Sequence, residues 1–314
     1  MKKKWALLAA VGMQCFLAGL PAMAASSGSP ASTSAAVPGD PEVRSSSALV
    51  LDVTRSAVLY ARNENKALPI ASITKLMTAL VVTDAGQPLD ERIEITKADV
   101  AHTKGVYSRL PAGAKLTRGE LMHLALMSSE NRAAHALGRT YPGGLTAFVR
   151  AMNAKAKALG MTRSHFADPS GLSPENVASP RDLVKLVLAA AKNPVIRLYS
   201  TDPEHTVRVG QQMLQYRNTN TLTSNPTWDI TVQKTGYLSA AGRCLVMQAN
   251  IDGRSVVIVL LNAFGKYTRV ADARRIRRWM ESHSAATNAD ATEVTTDATT
   301  SGTALQPASA NTRS

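Results

Sequence analysis

The chain has 314 residues, 45% of them apolar, enough for one large or two small cores, and a formal charge of +13. A basic balance invites a nucleic-acid reading, but only 4% of residues are aromatic and the chain opens on what reads as an export leader. No later segment stays apolar over the roughly 20 residues that a membrane span requires.

Residues 1–24, "MKKKWALLAAVGMQCFLAGLPAMA", join three lysines to an apolar run and end on Ala22-Met23-Ala24, the pattern of a cleaved secretory signal. The alternative, an uncleaved anchor, suffers from the shortness of the run. Export places the protein in the periplasm. Cys15 falls within the leader, so Cys244 is the one cysteine of the mature chain and no internal disulfide is expected. Setting aside the leader's three lysines and the net −2 of the segment from Ser284 onward, residues 25–283 carry +12. Such a body is drawn to an anionic wall polymer or lipid surface, unless the charge serves solubility alone.

Residues 25–45 are a Ser/Ala/Pro linker and 284–314 a Thr/Ala/Ser tail, both too poor in apolar residues to fold. One domain, 46–283, lies between them. "SSALVLDV" (46–53) and "AVLYAR" (57–62) predict a hairpin. Helices are expected over 72–84, 117–127, 131–139, 144–159 and 180–192. Strands follow at 229–238, 243–251 and 254–263, the last two joined by the two-residue turn Asp252-Gly253, and a helix closes the domain at 268–282. Two strands from one end, three from the other and helices between predict an α+β fold: one antiparallel sheet covered by helices. The last helix carries Ile276, Trp279 and Met280, a face for core packing or for a surface.

Three short motifs carry chemistry. "PIASITKLMTAL" (69–80) opens a helix with Ser72 and, three residues on, Lys75, on the same face. A capping serine is ordinarily followed at that distance by Glu or Gln; a lysine has the wrong charge for a cap. It has the right chemistry for a base, because the positive helix terminus favours its neutral form, which can take the Ser72 proton. S-x-x-K alone is weak. Ser129-Glu130-Asn131 falls at a break between helical stretches and could be an ordinary cap. Lys234-Thr235-Gly236 lies on a strand, where lysine usually faces solvent but glycine lets another backbone approach closely. In that order, S-x-x-K, S-x-N and K-T-G form the set of the serine penicillin-recognising enzymes.

With these motifs the chain resembles the D-alanyl-D-alanine peptidases among the low-molecular-mass penicillin-binding proteins, serine peptidase family S11, and is most similar to their short periplasmic endopeptidases. The resemblance spans about 45–283 and includes "GVYSRLPAG" (105–113), "DPSGLS" (168–173) and "RNTNTL" (217–222). It implies the β-lactamase/DD-peptidase-like fold, an antiparallel sheet covered by helices with a helical subdomain, and a D,D-peptidase that cleaves peptidoglycan through an acyl-enzyme and is inhibited by β-lactams. Ser72 would be the nucleophile, Lys75 its base and Ser129 the relay to the leaving amine. Asn131 would bind the substrate amide, Lys234 and Thr235 its carboxylate, and Gly236 would admit a strand-like substrate. The backbone N–H groups of Ser72 and Tyr237 would form the oxyanion hole, and Ser108 and Arg109 would lie over the cleft. No metal or cofactor is implied. In keeping with that, His123 and His135 stand apart and no H-E-x-x-H occurs.

Larger carboxypeptidases of the family continue into a β-rich second domain and an amphipathic anchor. This chain instead runs from "ADARRIRRWMESH" into a polar tail, so cleavage of D-alanyl cross-links is expected to exceed carboxypeptidase action. Two rivals remain. A β-lactamase needs rapid deacylation, yet Glu175-Asn176 does not reproduce the class A glutamate motif, and Tyr216-Arg217-Asn218 lies too near the late strands for a Y-x-N element. A non-catalytic wall-binding protein would have no need of Ser72, Lys75 and Ser129.

Overall fold

A computed structural model describes residues 39–297, with side chains as far as residue 283. In chain order, β1 (Ser47–Asp52) and β2 (Ala57–Arg62) form the first hairpin, and β3 (Leu68–Pro69) leads through a 3-10 turn, Ala71–Ile73, into α1 (Thr74–Asp84). The helical middle comprises β4 (Arg92–Glu94), α2 (Lys97–His102), β5 (Lys115–Thr117), α3 (Arg118–Met127), α4 (Asn131–Arg139), α5 (Gly144–Ala158), β6 (Val177–Ala178), α6 (Pro180–Ala191) and α7 (Pro194–Thr201). A hairpin of β7 (Glu204–Val209) and β8 (Gln212–Arg217) precedes β9 (Asp229–Leu238), β10 (Gly242–Ile251) and β11 (Arg254–Ala263), and α8 spans Thr268–Asp297. The leader read at 1–24, most of the linker and the end of the tail lie outside the described residues.

The early hairpin and the late strands join in one antiparallel sheet of order β2-β1-β11-β10-β9. Asp252 and Gly253 both take positive φ, 52° and 72°, as a two-residue turn between right-twisted strands demands. Because side chains alternate across a sheet, β11 feeds two cores. Val257, Val259 and Leu261 meet the helical middle, while Val256, Ile258 and Leu260 meet α8. Both faces are covered, which is why "SVVIVLL" reads as an unbroken apolar run. Ile276, Trp279 and Met280 are buried in the α8 core, so that face packs on the sheet. No described helix is long and apolar enough to cross a membrane.

The backbone of α8 continues past 282, the end expected from sequence, through a stretch rich in alanine, the best helix former. At the other end, residues 43–45, within the stretch read as linker, are already packed. Val43 is buried, and the Asp272 carboxylate of α8 accepts hydrogen bonds from the backbone N–H groups of Arg44 and Ser45 and from Ser45 Oγ. Long-range partners of this kind have no signature in a Ser-rich sequence.

The helix α1 is buried on every side from Thr74 to Val82, Lys75 included, and packs against α3, α4, α5 and α6. The elements unread in the sequence are the short pairs β3–β6 and β4–β5, the helices α2 and α7 and the hairpin β7–β8. A start signal for α7 was present: Asn193 Oδ1 accepts from the N–H groups of Val195 and Ile196, with Pro194 at the first helical position.

Candidate active site

The 3-10 turn before α1 holds Ser72, which is buried but keeps some exposure. Ala71 takes a left-handed φ of 48°, and Thr74 Oγ1 donates to its carbonyl at 2.7 Å. Two glycines make room for this turn. A Cβ on Gly236 of β9 would stand 2.7 Å from the Ile70 carbonyl oxygen and 3.3 Å from the Ser72 nitrogen. A Cβ on Gly171 would stand 2.1 Å from the Ala71 carbonyl oxygen, and Gly171 also needs φ +83°. The glycine of K-T-G is therefore required first by the backbone of the Ser72 turn. Gly171→Ala is expected to destabilise the fold by at least about 2 kcal/mol, combining overlap with left-handed strain. Gly86 has a similar φ of +62° with open space around it, so Gly86→Ala isolates the strain. Equal losses of thermal stability in the two variants would refute the packing account.

Lys75 is fully buried. Its Nζ lies 2.8 Å from Ser72 Oγ, 2.8 Å from Asn131 Oδ1 and 2.5 Å from the Ser170 carbonyl oxygen. Burial pushes its pKa down to about 7, with Asp168 and Glu130 pulling it back up. Desolvation, rather than the helix terminus invoked from sequence, is thus the main cause. A neutral amine has two N–H donors and one lone pair. The Asn131 and Ser170 oxygens can only accept, so they take the two hydrogens and leave the lone pair facing the Ser72 hydroxyl. The geometry suits proton abstraction.

The S-x-N turn joins α3 to α4. Ser129 is half-buried with φ 63°, and the next residue but one, Asn131, reaches Lys75. Glu130 caps α4 through the Arg132 N–H and accepts from Ser108 Oγ at 2.7 Å. Arg109 donates to the Gln215 carbonyl and stacks over the Tyr216 ring at 4.9 Å. Ser108 and Arg109 therefore tie the loop over the cleft to the S-x-N turn and to β8; in this structure both are engaged with protein groups.

The strand β9 forms the other wall and is the edge of the sheet. Lys234 is fully buried, its Nζ donating to the Thr235 carbonyl at 2.9 Å. Burial first, then the charges of Lys75 and Arg269, hold its pKa well below the usual lysine range. Thr235 Oγ1 is 2.6 Å from Thr219 Oγ1, and the Thr219 N–H donates to the Met127 carbonyl, linking β9 to the end of α3. Tyr237, next along, is 58% exposed. Its neighbour Gly236 touches the Ser72 turn, so the backbone N–H groups of Ser72 and Tyr237 belong to the same corner.

The model of peptidase family S11, described as D-alanyl-D-alanine carboxypeptidase, matches residues 32–265. The chain belongs to this family. It is 50% identical to the D-alanyl-D-alanine endopeptidase of Pseudomonas aeruginosa over 79% of this chain and 80% of that one. It is 46% identical to the D-alanyl-D-alanine endopeptidase of Escherichia coli K12 over 77% and 78%. The crystal structure of the Streptomyces K15 DD-transpeptidase superposes with a TM-score of 0.72 at 26% identity, covering 77% of this chain and 98% of that one. Its sheet and helical subdomain are those of the penicillin-binding fold.

Within this S11 chain, the segment "DPSGLS" holds the residues whose part sequence reading left unassigned. The Asp168 carboxylate accepts from the N–H groups of Ser170, Gly171 and Ser173, from Ser170 Oγ and from Asn176 Nδ2. These donors, with His102 alongside, hold it far below the usual carboxylate range despite burial. The loop so formed aims the Ser170 carbonyl at Lys75 and seats Gly171 on the Ser72 turn. His102 Nε2 lies 3.2 Å from Ser170 Oγ, and its ring stacks on His135, which pairs with Asp99. The signals available in the sequence were the Asp-x-x-Gly spacing and the place of this segment in the family resemblance. Glu175 is exposed, and Asn176 is taken up by Asp168. Tyr216, on β8, lies buried beneath Arg109, and Asn218 holds Gln233, Ser200 and Asp202 together, so both are taken up by packing and hydrogen bonds within the fold.

Proposed function

We infer that the chain is a serine D,D-peptidase that cleaves D-alanyl bonds of peptidoglycan peptides through an acyl-enzyme and that penicillins acylate. The observation that carries this reading is the buried Lys75 amine, with a pKa near 7, 2.8 Å from Ser72 Oγ. Ser72 Oγ attacks the D-alanyl carbonyl carbon as its proton passes to Lys75 Nζ. The oxyanion is received by the N–H groups of Ser72 and Tyr237. The C–N bond breaks as the leaving amine takes a proton through Ser129, and water then hydrolyses the ester. Because the Asn131 carbonyl end accepts from Lys75, its NH₂ end is free to meet the substrate amide.

Lys234 and Thr235 receive the carboxylate of the substrate or penicillin. Its arrival favours the ammonium form of Lys234, which burial otherwise opposes. Lys234→Ala should lower the second-order rate of penicillin acylation roughly 10- to 100-fold, the worth of one charge-assisted hydrogen bond, with little change in melting temperature. An unchanged rate would remove Lys234 from the carboxylate site.

The finer reading is that this S11 enzyme cuts cross-links in preference to terminal D-alanine. Its support is the endopeptidase name of relatives 46–50% identical over about four-fifths of the chain, together with a basic body suited to an anionic wall. Residues 1–24 serve as its export signal to the periplasm, the domain read at 46–283 begins with the packed residues 43–45, and membrane contact is at most peripheral. Purified protein given cross-linked muropeptide dimers and monomeric pentapeptides should consume the dimers faster. Ready trimming of pentapeptides with dimers left intact would make it a carboxypeptidase, with the same catalytic residues.

A further inference from the structure

Away from the cleft, three potential metal ligands that are far apart in sequence converge. His123 comes from α3, Asp202 follows α7 and His205 is the second residue of β7, and one ligand atom from each lies within 4.8 Å of the other two. His123 Nε2 and Asp202 Oδ2 are 3.1 Å apart, and the two imidazole rings stack at 4.0 Å. His123 is 5% exposed, yet its Nε2 makes no hydrogen bond of acceptable geometry. A buried polar atom without a hydrogen bond calls for a physical reason. Tyr199 stacks against His123 at 4.4 Å with rings 6° from parallel, which fixes the imidazole plane, and the His123 Nε2 lies beside the Asp202 carboxylate.

We propose that His123, Asp202 and His205 form a binding site for a zinc-class divalent cation. Two imidazole nitrogens and one carboxylate oxygen match the ligand preference of Zn²⁺; Mg²⁺ and Ca²⁺ prefer all-oxygen shells. Zinc–ligand bonds of about 2.0–2.2 Å put tetrahedral ligand atoms roughly 3.3–3.5 Å apart. The His123–Asp202 pair is already that close. His205, half-buried near the start of a hairpin, turns out of its stack on His123 and closes the remaining ångström or so to complete the set. The site is separate from the Ser72 chemistry and supplies no step of it. It clips the β7–β8 hairpin to α3, the helix that ends at the S-x-N turn, and β8 in turn holds Arg109 through Gln215. Sequence reading compared His123 with His135, its near neighbour; the fold instead gives it His205, while His135 goes to Asp99.

The test uses the tag-free protein, stripped with a chelator and then dialysed against Zn²⁺. One ion per chain should bind, the melting temperature should rise with Zn²⁺ and not with Mg²⁺, and Co²⁺ should give the visible bands of a tetrahedral site. His205→Ala and Asp202→Asn, both at half-buried positions, should each weaken binding at least about tenfold and abolish the Co²⁺ bands while keeping zinc-free penicillin acylation. Absence of stoichiometric Zn²⁺, undiminished binding in both variants, or displacement of Zn²⁺ by equal Mg²⁺ would each overturn the proposal.

Discussion

Ser72→Ala protein will fold, melt close to the parent temperature and take up no labelled penicillin. The hydroxyl removed is small and 2.8 Å from Lys75 Nζ, which keeps its oxygen partners on Asn131 and Ser170. Stability therefore changes little. Acylation fails completely, because the ester can form only on an oxygen that faces the oxyanion donors. Cleavage of D-alanyl peptides should fall by on the order of 10⁴-fold or more, since nucleophile and base act as a unit. Mass spectrometry after incubation with penicillin is the direct measurement. A Ser72→Ala protein that gained the mass of the drug would place the nucleophile elsewhere.

Lys75→Arg should be nearly as damaging although it retains a positive charge. A guanidinium stays protonated throughout the accessible pH range and cannot accept the Ser72 proton, so the rate should drop about 10²- to 10⁴-fold. The larger planar head also has to be buried where a slender amine stood, so some loss of stability accompanies it. The parent enzyme offers a check free of that complication. With Lys75 lowered to about 7 by burial, the base is protonated and idle on the acid side and becomes neutral as pH rises. The acylation rate should climb through pH 7 and level off above it. A rate already flat from pH 5 to 9 in the parent, or substantial turnover in Lys75→Arg, would end the general-base assignment.

Parts of this protein are decided locally and were legible. The turn at Asp252-Gly253 needs only two residues tolerant of positive φ, and the strands on either side show their character in β-branched runs. The i, i+3 placement of Ser72 and Lys75 is likewise helix geometry, and the ordered motifs S-x-x-K, S-x-N and K-T-G identified the family from residue types and sequence order. Other features exist only when distant segments meet. Ser72 lies in a 3-10 turn rather than in the first turn of an α-helix, because Gly171 and Gly236 press against its backbone from two sides. The Lys75 pKa falls toward neutrality because α1 is buried all round, and Asp168 matters because its loop turns a carbonyl toward that amine. Ser108 and Arg109 acquire protein partners from α4 and β8, and His123 finds His205 across two elements. Spacing along a chain can say which side chains share a turn. Desolvation, and the approach of one backbone to another, depend on what the rest of the chain brings alongside, and for this enzyme those two quantities set the reactivity of its serine.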